Sequence, residues 1–146
     1  MDGHLLIQNA TLILPDRVVE GDLRVSGGSI STIAPGGGLD AGSNEAVIDA
    51  TGLHLLPGAI DPHVHFREPG STEKEDLESG SRAAAAGGVT SFLDMPNNNP
   101  NATNRSTMER KIAIASKKSV THHGFFIGAT NDNIADLQSV EGMDGV

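Results

Sequence analysis

The chain contains no cysteine, so disulfides and thiolate metal sites are both excluded, a composition suited to a reducing, cytoplasmic setting. Long apolar runs are lacking as well. Met1-Asp2-Gly3-His4 has no basic character, and the stretch from Leu5 to Leu14 is interrupted by Gln8, Asn9 and Thr11, so neither a signal peptide nor a membrane span is expected there. Positive charge is scarce. Ten basic residues against 19 acidic leave a net charge of −9, which argues against nucleic acid or an anionic membrane as partner; any anionic small substrate would have to be held by local cations, such as Arg67 and a metal. The glycines nowhere fall in a Gly-x-Gly-x-x-Gly or Walker spacing, so no phosphate-cradling loop is indicated. The Asn-x-Ser/Thr triplets at Asn9, Asn101 and Asn104 read as incidental.

What is present falls into two patterns. The 146 residues equal one ordinary domain in length and suffice to bury a core. Residues 2–56 read as β structure: Leu5–Ile7, Leu12–Leu14 and Val18–Val25, then a hairpin signal at Gly27-Gly28, Ile30 and Ile33 beyond it, and Ala46–Asp49 and Leu53–Leu56. Pro35 to Asn44 reads as a flexible loop. His4 and His54 have no ligand-like residue spaced with them and are assigned no chemistry.

From Ala59 onward strands alternate with helices. Thr72-x-x-Glu75 has the spacing of a capping box, with Glu73, Glu75 and Asp76 in a first helical turn; the closely packing block Ala83–Ala86 follows, with Gly87 as C-cap. Val89–Met95 is an apolar strand. Arg105–Lys118 is a helix with Met108, Ile112 and Ala115 on one stripe and Lys117 and Lys118 suited to its C-terminus. Val120–Ala129 is a third strand and Asn133–Val140 a third helix. This order is the βαβ signature of a parallel sheet, whose ligands sit at the carboxyl ends of the strands.

The chemistry concentrates between Pro57 and Glu68, in Pro-Gly-Ala-Ile-Asp-Pro-His-Val-His-Phe-Arg-Glu. On an extended strand Asp61, His63, His65 and Arg67 share one face, while Val64 and Phe66 turn to the other. Two imidazoles at i and i+2, about 7 Å apart along a strand, converge on one ion where the strand bends or ends. Arg67 carries a planar fork of donors matched to a carboxylate, and Asn97, after the second strand, should reach the same rim with an amide donor. Asp61 could orient a ligand imidazole or cap the strand end, and the role of Asp94 is open. Asn98 and Asn99 read as turn chemistry, and His122 and His123, at the entry to the third strand, as packing residues.

The run from Pro57 to Pro100, with His63-Val64-His65-Phe66-Arg67-Glu68-Pro69-Gly70, then Ser81-Arg82-Ala83-Ala84-Ala85-Ala86-Gly87-Gly88-Val89-Thr90 and Met95-Pro96-Asn97, resembles the cyclic amidohydrolases, and dihydroorotases most closely. The resemblance implies an α/β architecture: residues 1–56 as a β-sandwich portion and 57–146 as the first part of a TIM-type (β/α) barrel. It further implies His63 and His65 as ligands of one or two Zn²⁺ ions, Arg67 and Asn97 as the grip on a substrate carboxylate, and Asp61 in support. The implied reaction is the reversible closure of N-carbamoyl-L-aspartate to dihydroorotate in pyrimidine synthesis. Allantoinases and hydantoinases characteristically lack the Arg and Asn pair, and some relatives that have lost their metal ligands act only as scaffolds. A homo-oligomer or an aspartate carbamoyltransferase partner fits the same family.

A full barrel takes about 250 residues, and only three βα units precede Val146. The family's bridging carboxylated lysine or aspartate, its further histidines and its catalytic aspartate fall on later strands. The chain is therefore expected to be the N-terminal portion of a longer enzyme, with no catalytic residue of its own and no turnover alone.

Overall fold

A computed structural model describes residues 3–146; the opening Met1-Asp2, where the absence of a basic leader was read, lies outside the described residues. The chain divides into two compact units, Met1–Pro57 and Gly58–Val146.

The first unit is a five-stranded mixed sheet. β1 (His4–Ile13), β2 (Val18–Ser26) and β3 (Ser29–Pro35) form an antiparallel meander, and β4 (Glu45–Asp49) and β5 (His54–Leu55) both pair parallel to β1. The two apolar runs read separately in the sequence are thus one strand, bent by a bulge between Ile7 and Ala10, where Asn9 takes a φ of 61°. At the β2–β3 turn both Gly27 and Gly28 have positive φ, the left-handed backbone a two-residue hairpin requires. Ala10, Leu12, Leu23 and Ala50 form this unit's core.

The bulge is held by one carboxylate. Asp22, 2% exposed, accepts from Asn9 N at 2.9 Å and from Leu39 N at 3.0 Å, and these backbone donors hold its pKa below the ordinary 3.8. A carboxyl lowered in the folded state stabilises above its unfolded pKa and stops doing so as pH falls through the folded value. Asp22→Asn should therefore lower the thermal unfolding midpoint at pH 7 and flatten its decline below about pH 4, the Asp range. An unchanged acid limb in calorimetric scans of the variant would contradict this role.

The second unit is a parallel three-stranded sheet in the order β6 (Ala59–Val64), β7 (Val89–Asp94), β8 (His122–Phe125). α1 (Leu77–Ala86) links β6 to β7, α2 (Arg105–Lys118) links β7 to β8, and α3 (Ile134–Ser139) follows. The core joins Phe66, Leu77, Phe92, Met108, Ala115 and Phe125.

Several local expectations shift. α1 is capped by Asp76 with Ser79, not by Thr72 with Glu75: Ser79 N donates to Asp76 Oδ1 at 2.7 Å, and Asp76 N donates to Ser79 Oγ at 3.2 Å. Asp is the stronger N-cap, and the preceding residues are held in a turn closed from Lys74 N to Ser71 O. Ala83, Ala85 and Ala86 are exposed; the buried face of α1 is Leu77, Gly80 and Ser81. β8 stops at Phe125 rather than Ala129, and α3 buries none of its own residues.

Gly80 has a packing reason. A Cβ there would come 2.7 Å from Phe66 Cε1, so only glycine lets the Phe66 ring seat beneath α1.

Candidate metal and carboxylate site

The site begins with a proline. Pro62 has no amide to give the ladder, and the β6–β7 register shifts between Asp61 and Val64. Strand β6 lies at the sheet's edge, where such a break is tolerated. Asp61 Oδ1 accepts from His63 N at 3.1 Å, closing the kink through the side chain. Of the two roles considered for Asp61, the structure shows the backbone cap; among the described residues its carboxylate bonds no imidazole.

The kink turns two parallel side chains toward each other. His63 and His65 are exposed, their Nε2 atoms lie 3.1 Å apart, and their rings meet at 61° with centroids separated by 5.0 Å. Two nitrogens at 3.1 Å match the bite of ligands on one shared ion: at about 2.0–2.1 Å each they would subtend about 100°, near tetrahedral. The residues present therefore fit a zinc-like cation bound through both Nε2 atoms. They supply part of its shell only, since no group of three or more His, Asp or Glu converges among the described residues.

Asn97 completes the cluster from β7's side. Its Oδ1 lies 2.9 Å from His65 Nδ1. An amide oxygen only accepts, so His65 carries its proton on Nδ1 and leaves Nε2 bare, the tautomer a metal ligand needs. The Asn97 amide nitrogen makes no hydrogen bond among the described residues. Arg67, expected beside it, is exposed and makes no side-chain hydrogen bond or ion pair among the described residues.

The supports under these residues were less legible. Asp94, 0% exposed, points inward: Oδ1 accepts from Phe66 N at 2.9 Å and Oδ2 lies 2.8 Å from Lys111 Nζ. Burial pushes the Asp94 carboxyl up and the Lys111 ammonium down, while the contact between them opposes both shifts. Asn98 is more than a turn residue: it is buried, and its Nδ2 donates to Phe66 O at 3.0 Å and Glu68 O at 3.1 Å. Glu68 accepts from Leu77 N at 3.0 Å and pairs with Lys118 at 2.6 Å, so Lys118 has an ionic partner beyond the helix end assumed for it. Lys111 went unnoticed in the sequence, although with Met108 and Ala115 it follows the spacing of the buried stripe. His122 is exposed at the start of β8, and His123 packs against Phe125 with ring centroids 5.6 Å apart.

Asn97→Ala should free the His65 ring and weaken zinc binding roughly 10- to 100-fold, the usual loss when a ligand's hydrogen-bond partner is removed. Long-range proton–nitrogen NMR should show His65 protonated at Nδ1 before the substitution and a tautomer mixture after it. Equal zinc affinity with an unchanged tautomer would remove Asn97 from the site.

Residues 54–138 match the Amidohydrolase family. An allantoinase from Desulfitobacterium hafniense (strain Y51) is 40% identical over 137 residues, covering 93% of this chain and 30% of the relative. A dihydroorotase from Methanosarcina acetivorans is 40% identical over 134 residues, covering 92% of this chain and 28% of the relative. Among solved structures, a dihydropyrimidinase from Brevibacillus agri NCHU1002 superposes with a TM-score of 0.80 at 32% identity, covering 98% of this chain and 32% of that one. The L-hydantoinase of Arthrobacter aurescens, with a TM-score of 0.85 at 24% identity, shares the fold. The chain spans less than a third of the length of these relatives. With its HxH strand, its βα succession and these likenesses together, this chain belongs to the amidohydrolase family.

Proposed function

We propose that the protein carrying this chain is a dihydroorotase-like cyclic amidohydrolase that closes N-carbamoyl-L-aspartate to dihydroorotate and reopens it. The reading is supported by Asn97, whose Oδ1 lies 2.9 Å from His65 Nδ1 beside the converged imidazoles, together with the exposed Arg67 two residues beyond His65 in the chain. The ring of dihydroorotate bears a carboxylate, and an unengaged guanidinium fork together with an amide donor is the chemistry that grips one. Allantoin and hydantoin offer no matching group.

His63 and His65 would hold the cation through Nε2, with His65 aligned by Asn97. To serve as a ligand through Nε2, His63 would need its proton on Nδ1. Zinc bound there would bring the pKa of a coordinated water near neutrality and polarise the ring carbonyl. Arg67 and the Asn97 Nδ2 orient the ring by its carboxylate, so that one carbonyl faces the imidazole pair. A carboxylate general base would carry the proton to and from the ring nitrogen. The net charge of −9 disfavours an anionic substrate at long range, so Arg67 and the cation must supply the local attraction.

The relatives also favour a second reading, an allantoinase or hydantoinase, since those names occur at comparable similarity. Assays of the full-length protein on dihydroorotate, allantoin and hydantoin separate the two. Dihydroorotate should be preferred, and Arg67→Met should cut its kcat/KM by roughly 10- to 100-fold, the value of one charge-assisted hydrogen bond at about 1.5–3 kcal/mol. Preference for allantoin, or indifference to Arg67→Met, would overturn the assignment. The 146-residue chain alone should show no turnover.

A further inference from the structure

The regular ladder between β6 and β7 ends with Val64 opposite Asp94, the last bond running from Met95 N to Val64 O at 2.9 Å. Phe66 N lies beyond it and is buried, so it needs an acceptor. No strand supplies one. The Asp94 side chain does, at 2.9 Å, while Asn98 Nδ2 takes Phe66 O at 3.0 Å. Both polar groups of Phe66 are thus held by the last residue of β7 and the segment that follows it, and its ring is seated against Gly80 and Phe92.

A carboxylate in this place must itself be compensated. Lys111, 0% exposed, reaches from α2 to lie 2.8 Å from Asp94 Oδ2, donates to Met95 O at 2.8 Å and stands 4.7 Å from the Phe125 ring centroid. A buried ion pair seldom stabilises more than an apolar pair of the same volume, so stability alone does not account for its presence. Position does. A leucine at residue 94 could fill the space but could not accept from Phe66 N, and a methionine at residue 111 could not tie down the peptide that leads to Asn97.

We propose that Asp94 and Lys111 are positioning residues for the paired imidazoles. Asp94 fixes the Phe66 amide and so the direction in which His65 leaves the strand, and Lys111 locks Asp94 and the Met95 carbonyl, from which Asn97 is reached, into one register. The effect on metal binding rests on the reading of His63 and His65 as ligands; the effect on geometry does not.

Two double variants of this chain separate positioning from packing. Asp94→Asn with Lys111→Gln keeps an acceptor for Phe66 N and a donor for Met95 O without charge; Asp94→Leu with Lys111→Met keeps volume and removes both. Circular dichroism establishes that each is folded. In the polar double, zinc affinity should stay within about threefold of the unaltered chain, and nuclear Overhauser contacts between the His63 and His65 rings should persist. In the apolar double, affinity should fall roughly 10- to 100-fold, the scale of lost outer-shell support, and the ring contacts should vanish. Intact ring contacts and equal affinity in the folded apolar double would overturn the proposal. Should the unaltered chain bind no zinc, the ligand reading fails and the ring contacts alone decide. Should the apolar double not fold, hydrogen exchange at Phe66 N decides: the proposal requires it to be as slow as the β7 amides in both the unaltered chain and the polar double, and fast exchange in either overturns it.

Discussion

Everything at the candidate site depends on how the backbone leaves strand β6. A regular strand would keep His63 and His65 parallel, roughly 7 Å apart, too far to share an ion at about 2.0–2.1 Å from each. Pro62 breaks the ladder, Asp61 closes the break onto His63 N, and Asp94 catches the chain again at Phe66 N. Between those two carboxylates the imidazoles swing until their Nε2 atoms are 3.1 Å apart. The bend is therefore specified at both ends by side-chain acceptors.

The end of β7 and the segment after it do the holding. Asp94, Asn97 and Asn98 take, respectively, the amide of Phe66, the ring of His65 and the carbonyls of Phe66 and Glu68. Parallel neighbours end on the same rim, so a short stretch after one strand can fix the short stretch after the next. The Asn97 oxygen sets the His65 tautomer, while its amide nitrogen makes no hydrogen bond among the described residues.

Much of this was legible in the sequence because it rests on local chemistry. Alternation, turn glycines and helical stripes marked every element, and α2 falls on Arg105–Lys118 as its periodicity indicates. The paired imidazoles and Asn97 were readable from strand geometry and the rim rule. What escaped depends on tertiary burial. Thr72 and Glu75 have capping-box spacing, yet Asp76 caps α1, because Glu68 reaches across from the β6 side to take Leu77 N. The Ala83–Ala86 block suggested close packing, but in this chain α1 faces inward through Gly80 and Ser81. Lys111 was overlooked because a lysine on an apolar stripe is ordinarily solvated, and only Asp94, itself ambiguous at the end of an apolar strand, gives it a reason to be inside.

Membership of the amidohydrolase family follows from residues 54–138, while the substrate we propose rests on the reading of Arg67 and Asn97. The central claim is narrower than either: the two imidazoles form one half of a metal centre. Anomalous diffraction from crystals grown with zinc tests it most directly. The account predicts a single zinc peak between His63 and His65, about 2.0–2.1 Å from each Nε2, with His65 Nδ1 still on the Asn97 oxygen. Zinc bound elsewhere, with the two rings turned away from each other, would contradict it.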